Sequence, residues 1–173
     1  RLGEITKSIR CPAFFAISYY LTHRNAHLRE TEPSAQSAYE AGMETGNLEY
    51  AGYSIYTFFL SHFWCGQPLA ELEPQLLAYQ QQLLNLNQLL SANLFSLLWE
   101  AAIFLIGNPQ QIELCFNQPP LVTNYLVLGF NTCQIGAMLH FLTGDLERAI
   151  AFADRTKTYL TGGLGTVSEA EFY

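Results

Sequence analysis

Two histidines and two glutamates lie close together near the start of the chain. His23 and His27 are four residues apart, which places both imidazoles on one face of a helix, and Glu30 and Glu32 follow. Such a pair can bind zinc when a third ligand comes from elsewhere. The HExxH motif also carries a glutamate that acts as general base, and that glutamate is missing here. The pair is therefore expected at a surface helix end rather than in a metal site.

Two cysteines have a histidine within helical reach. His62 precedes Cys65 by three residues, and Cys133 precedes His140. A thiol becomes a nucleophile when a base ionises it, whereas burial in apolar surroundings raises its pKa and makes it inert. Both pairs lie in apolar segments, and there is no CxxC pair among the four cysteines, which are Cys11, Cys65, Cys115 and Cys133. We expect reduced, structural thiols and hence a cytoplasmic protein.

A glycine-rich segment near the end of the chain, Gly162-Gly163-Leu164-Gly165, has the composition of a phosphate-binding loop. That loop requires a lysine followed by serine or threonine at the start of a helix, and no lysine follows. Residues 161–166 are therefore predicted to be a flexible connection. With this candidate excluded, the sequence predicts no catalytic residue, no cofactor and no metal, and we do not expect this segment to be an enzyme.

Composition limits the classes of partner. The net charge is −7, and the 8 lysines and arginines are scattered singly. Nucleic acids and anionic membrane surfaces both require clustered cations, so neither is expected as a partner. The residues from Leu121 to Phe141 carry no charged side chain. Asn124, Asn131 and Gln134 lie inside this run, so a buried core helix is favoured over a membrane span.

Four glycines divide the chain into long apolar segments: Gly46, Gly66, Gly107 and Gly144. Glycine adopts the left-handed conformation that ends a helix, and Asn, Asp or Pro close behind it starts the next one. The resulting pattern predicts about eight helices and no strand. We expect one helical-repeat domain over residues 1–173, with hairpins at about 3–45, 47–90, 91–142 and 146–173. Within these, a first helix is predicted over 3–28 and a last complete one over 146–160.

The clearest periodicity is a stripe with spacings of three and four, made of Leu69, Leu72, Leu76, Tyr79, Leu83, Leu86 and Leu90. It predicts an amphipathic helix that packs on a neighbour, although a coiled-coil dimer seam would show the same stripe. At the end of the chain, Ser168 and Glu171 have the spacing of a capping box, which predicts the start of a further helix. The chain stops at Tyr173 and begins at Arg1 without a methionine, so we expect a piece of a longer polypeptide.

Two turns resemble the inter-helix turn of tetratricopeptide repeats. They are Thr143-Gly144-Asp145-Leu146-Glu147-Arg148-Ala149-Ile150 and Thr45-Gly46-Asn47-Leu48-Glu49-Tyr50-Ala51. In those repeats a small residue lets two helices approach closely, and Ala149 and Ala51 stand at that position. An unrelated helical bundle with similar turns remains open.

The segment Ser37–Ser54 and the later residues 66–73 and 105–108 resemble a region of very large bacterial signalling proteins, common in cyanobacteria. Those proteins join a serine/threonine kinase, a P-loop ATPase, a long helical-repeat region, a GAF domain and a sensor histidine kinase. The resemblance implies that this chain belongs to the helical-repeat region of such a protein. It carries over no catalytic residue, because no family catalytic motif lies in residues 1–173.

The sequence therefore predicts an all-α, tetratricopeptide-like solenoid that acts as a non-catalytic interaction scaffold. The expected partners are other domains of the same polypeptide or a separate protein, with some self-association through exposed solenoid ends. Candidate contact residues are Tyr39, Tyr53, Tyr56 and Asn131. Two alternatives remain, a stand-alone homodimer through the leucine stripe and a helical domain that binds a small apolar ligand.

Overall fold

The computed structural model describes residues 2–107 and 125–172, and the regular elements in these two ranges are all helical. The described part contains eight α-helices, which are α1 Leu2–Ala16, α2 Glu32–Thr45, α3 Leu48–Trp64, α4 Leu69–Asn85, α5 Leu89–Ile106, α6 Leu126–Leu142, α7 Leu146–Thr156 and α8 Val167–Phe172. The predicted all-α class is confirmed. The predicted irregular stretch 108–120 and the start of the predicted helix 121–142 lie outside the described residues.

The chain folds into two compact units. The first comprises residues 1–95 and the second residues 96–173, and the boundary between them falls inside α5. In the first unit α2 packs against both α1 and α3, and α4 lies beside α3. Its fully buried large side chains come from α3, α4 and the start of α5; they are Tyr56, Phe59, Leu60, Leu72, Leu76, Leu94 and Phe95. The apolar helix α3 is therefore the centre of this unit, because it contributes buried residues along almost its whole length.

The leucine stripe of α4 faces the interior of the first unit. Leu72 and Leu76 have no exposed surface, and Leu83 is 3% exposed. Pro74 lies within the helix without ending it. The stripe is therefore used for packing within the chain and is not available as an open dimer seam.

The first predicted helix is shorter than residues 3–28. The α-helix ends at Ala16 and widens into a π turn over Ile17–Leu21, followed by 3₁₀ turns at Thr22–Arg24 and Leu28–Thr31. The widening has a local cause at Thr22. Both its backbone N–H and its hydroxyl donate to the carbonyl of Ile17, five residues earlier, the latter at 2.9 Å. An i to i+5 hydrogen bond closes a π turn.

In the second unit α6 packs against α7 and against the 3₁₀ turn Lys157–Gly162. The α-helix predicted to reach Leu160 ends at Thr156 and continues as this 3₁₀ turn. Large buried side chains of the unit include Phe130, Ile135 and Phe152. Phe152 lies over Gly136, so that a Cβ at position 136 would meet the ring at 2.5 Å.

Residues 161–166, expected as a flexible connection, are packed against α6. A Cβ at Gly162 would collide with the backbone of Leu126, and one at Gly163 would collide with the ring of Phe130. The buried Thr166 hydroxyl donates to the Gly163 carbonyl at 2.7 Å, which holds the turn closed. Gly162 and Gly163 therefore serve close packing rather than flexibility.

The last helix begins at Val167, and Glu169 anchors its start. The carboxylate of Glu169 accepts the Gly165 N–H at 2.6 Å. This bond differs from a capping box, in which the acidic residue accepts the N–H three residues earlier. Ser168, the predicted capping residue, is instead buried inside the helix, with 1% of its surface exposed.

Candidate protein-contact surface

An aromatic cluster surrounds Phe15 on α1. Its ring centroid lies 5.2 Å from that of Tyr19, 6.1 Å from Tyr20, 5.6 Å from Tyr50 and 5.8 Å from Tyr53. Edge-to-face and stacked pairs at such distances each add stability beyond the area that they bury. Phe15 and Tyr19 are buried, whereas Tyr50 and Tyr53 are half-buried. The cluster therefore joins the core of the first unit to its surface.

A row of exposed apolar side chains runs along α1 and the π turn beside this cluster. Ile9 is 58% exposed, Ile17 41% and Leu21 54%, and the exposed Ala13 completes a spacing of four. An α-helix has 3.6 residues per turn, so four residues make slightly more than one turn. A row of side chains spaced by four therefore shifts gradually around the helix axis. The π turn rotates the chain less per residue and counteracts this drift, so Leu21 stays on the side of Ile17. We call this row the α1 surface.

Tyr20 connects the α1 surface to the aromatic cluster. It is 39% exposed, and its ring packs edge-on against Tyr19 with centroids 4.9 Å apart. Burial, and to a smaller extent the neighbouring Tyr50, raise the pKa of the Tyr20 phenol. The phenol therefore stays neutral near pH 7 and serves as a hydrogen-bonding group on an otherwise apolar surface. Tyr53 adds a second polar group, because its hydroxyl donates to Glu49 at 2.9 Å.

The four predicted contact residues do not form one surface. Tyr39 is half-buried on α2, where its ring lies 6.1 Å from Tyr79 and its hydroxyl accepts a hydrogen bond from Gln82. Tyr53 belongs instead to the cluster around Phe15. Two of the predicted residues are corrected, since Tyr56 and Asn131 are each only 2% exposed. Tyr56 packs against Phe95 in the core, and the Asn131 amide donates to the Val127 carbonyl at 2.8 Å.

The predicted turn positions lie at helix ends or in close contacts. The four glycines all have left-handed backbone angles, with φ of 75° at Gly46, 75° at Gly66, 95° at Gly107 and 81° at Gly144. Ala51 and Ala149 are buried. Ala51 lies against Gly42, at the point where α2 approaches α3. These positions shape the hairpins and do not contribute to the α1 surface.

His62 and Ser61 connect the end of α3 to the start of α2. The Nε2 of His62 lies 3.3 Å from a carboxylate oxygen of Glu32. Ser61 donates to the Leu28 carbonyl at 3.1 Å. Arg29 donates to the Cys65 carbonyl at 3.2 Å, which ties the same two regions together. The contacts hold a turn in place, and His62 faces Glu32 rather than serving as a base for Cys65.

The other candidate chemical groups are part of local structure. Cys133 has no exposed surface, and burial raises its pKa to about 12, although Arg155 opposes the shift. His27 caps a turn, because its Nδ1 accepts the Arg29 N–H at 3.2 Å. Within the two described ranges, no group of three or more His, Cys, Asp or Glu side chains could hold a metal ion.

Sequence reasoning missed Ile9, Ile17 and Leu21. None of the three was singled out as a contact residue, because an apolar side chain shows its exposure only when its neighbours are known. The spacing of four from Ile9 to Leu21 was a usable signal. It was obscured by the buried residues Phe15, Ser18 and Tyr19, which lie between them.

Comparisons of the chain with protein-family models, with curated proteins and with solved structures find no match. Among the described helices, α5 is long and apolar enough to cross a membrane, and half of it is buried inside the protein. A core helix of a soluble protein has the same length and composition, so α5 by itself is weak evidence for a membrane span.

Proposed function

We propose that this chain is a non-catalytic interaction scaffold, built as tetratricopeptide-like helical hairpins, within a multidomain signalling protein. Its partners are other domains of the same polypeptide, and it works in the cytoplasm. The observation that carries the proposal is the α1 surface with its adjoining tyrosines. Apolar side chains arranged in a row, with aromatic residues that also offer hydrogen bonds, are typical of protein-contact surfaces.

The arrangement of the first unit supports a binding role for this surface. The inward side chains of α1 and the π turn are buried, namely Cys11, Phe15 and Tyr19, so this segment is already anchored. Its outward apolar residues nevertheless leave about half of their surface exposed. Exposure of Ile9 or Leu21 singly would be unremarkable in a soluble protein, but a continuous row beside Tyr20 forms a patch. Tyrosine in such a patch is favoured at contact sites.

The test measures binding of this chain to the separately purified kinase, ATPase, GAF and histidine-kinase domains of the polypeptide that carries it. We expect saturable binding to at least one domain. The double variant Ile17→Glu/Leu21→Glu should weaken it by about tenfold or more, because two charges would be buried without partners.

The matched control is Leu77→Glu/Leu84→Glu, since these leucines are 37% and 39% exposed on α4, away from the α1 surface. It should leave the affinity within about twofold of the original value. Circular dichroism melts show whether each variant is folded. Binding to none of the domains, or equal weakening by the control pair, would overturn the proposal.

A further inference from the structure

Positive charge is concentrated at the start of the chain. Residues 1–29 carry five of the 8 lysines and arginines and a single acidic residue, which gives a net charge of +4. The remaining residues carry three cations and 14 carboxylates, a net charge of −11. Exposed charges further apart than roughly 8 Å are largely screened at physiological ionic strength, so a partner on α1 responds mainly to the charges beside it. The five cations are Arg1, Lys7, Arg10, Arg24 and Arg29.

Two exposed arginines lie at opposite ends of the α1 surface. Arg10 directly follows Ile9, and its guanidinium lies 5.3 Å from the centroid of the Phe14 ring. Arg24 lies just beyond the π turn, and its Nε donates to the Tyr20 carbonyl at 3.0 Å. Helix α1, the π turn and the 3₁₀ turn that ends at Arg24 follow one another without a break. The two arginines are therefore separated by roughly 20 Å along the helical axis.

The spacing of the apolar row and the position of the arginines indicate the chemistry of the partner. Side chains four residues apart form a ridge, which packs into the groove between the ridges of a second helix. An amphipathic helix makes such a contact with apolar residues three and four apart. Arginine binds a carboxylate through two parallel hydrogen bonds, so acidic residues near both ends of that helix complement Arg10 and Arg24. The carboxylate of Glu49, which accepts the Tyr53 hydroxyl, marks the border of this positive area.

We propose that the α1 surface binds an amphipathic helix that has an apolar stripe and acidic residues about 14 positions apart. The inference rests on the proposed scaffold function and names the kind of segment that the scaffold recognises. An anionic membrane is a poorer match for the charges. Basic segments that bind membranes carry roughly four to eight clustered cations. The described side chains of residues 9–29 include three, and one of these, Arg29, is held on the Cys65 carbonyl.

The salt dependence of binding tests the charge complementarity. The domain that binds this chain is titrated in about 50 and about 500 mM NaCl, and the dissociation constant should rise about fivefold or more with salt. Arg10→Gln/Arg24→Gln should weaken binding about threefold or more at the lower salt concentration and should remove most of the salt dependence. The matched pair Arg148→Gln/Lys157→Gln removes the same net charge from exposed positions of the second unit. It should leave the affinity within about twofold of the original value.

The outcomes separate this inference from the scaffold function. Binding that is lost in Ile17→Glu/Leu21→Glu but is insensitive to salt and to Arg10→Gln/Arg24→Gln leaves the scaffold function standing and overturns the acidic helix. Equal weakening by both cation pairs also overturns it, because net charge alone would then be responsible. Binding to none of the domains overturns both proposals. Binding to phosphatidylcholine vesicles with about 30% phosphatidylserine, lost in Arg10→Gln/Arg24→Gln, would assign the surface to a membrane instead.

Cross-linking tests the helical shape of the partner. Arg10→Lys and Arg24→Lys each keep the positive charge and introduce an amine, which a carbodiimide joins to a neighbouring carboxylate with loss of water. Mass spectrometry of the cross-linked complex should place the two joined carboxylates on one helix of the bound domain, about 14 residues apart. Circular dichroism melts show that each variant is folded. Cross-links that fall on a strand, or on two segments distant in sequence, contradict a single helical partner.

Discussion

Gly42 of α2 and Ala51 of α3 touch across the first hairpin. A Cβ placed on Gly42 would lie 2.8 Å from the Cβ of Ala51 and 2.9 Å from the sulfur of Cys11. Both distances are shorter than a real Cβ atom allows, so three helices meet here with no room for a methyl group. The buried Ala51 is the small residue that the turn pattern singles out, and Gly42 is its counterpart on the facing helix.

Gly42→Ala should destabilise the chain by about 1–3 kcal/mol, because overpacking outweighs the higher helix propensity of alanine. Urea unfolding followed by circular dichroism measures the change. The matched variant Gly42→Ala/Ala51→Gly moves the methyl group from one side of the contact to the other. It should recover part of the stability that Gly42→Ala loses. A single variant as stable as the original chain would show that the helices can separate at no cost.

The turn glycines should respond to substitution for a different reason. Gly46 and Gly144 have φ of 75° and 81°, and a Cβ at either position would have no neighbour within 4 Å. Alanine there should cost about 1–2 kcal/mol through backbone conformation alone. Asparagine tolerates the left-handed region and should cost less at both positions. Thermal unfolding of the four variants checks this; equal losses for Ala and Asn would point to a cause other than backbone conformation.

The cysteines should differ in reactivity toward a disulfide reagent such as Ellman's reagent. Cys65 is half-buried, while Cys11 and Cys133 have no exposed surface and burial raises the pKa of each thiol, to about 12 for Cys133. In a Cys115→Ser background, we expect one thiol to react in the native protein and the other two only on unfolding. Cys65→Ser should remove the fast phase. A fast phase that survives this substitution contradicts the assignment.

His23 should make stability fall in mild acid. Its Nδ1 is buried with no hydrogen-bond partner, and burial, followed by the charge of Arg24, lowers its pKa below 6.5. Below about pH 6.5 the unfolded chain binds a proton that the folded chain does not, so stability is lost as pH falls until the folded pKa is passed.

His23→Gln should therefore lose less stability than the original chain between about pH 7.5 and 5.5, measured by urea unfolding. Arg24→Gln removes only the smaller of the two causes and should keep most of the original slope. Unchanged pH dependence in His23→Gln would assign the acid sensitivity to other groups.

Helices and their ends could largely be predicted from local sequence. The glycines at 46 and 144 adopt left-handed angles because that preference belongs to glycine itself. Helix α4 contains five of the seven residues of the predicted stripe, and the other two, Leu86 and Leu90, lie beyond its end at Asn85. The π turn was not predictable, since it depends on one threonine that bonds to a carbonyl five residues earlier. The prediction of a flexible connection over residues 161–166 was wrong for a related reason. Gly162 and Gly163 suggest flexibility when only their neighbours in sequence are considered, but in the folded protein they pack against α6.

The sequence by itself determined the all-helical class, most helix positions and the conformation of the turns, because these depend on neighbours a few residues away. Only the tertiary structure decided which aromatic and apolar side chains reach the surface. Tyr56 and Tyr53 are three residues apart on α3, yet one is buried against Phe95 and the other lies beside Phe15 near the surface. Burial is decided by helices distant in sequence, and periodicity within one helix does not contain that information.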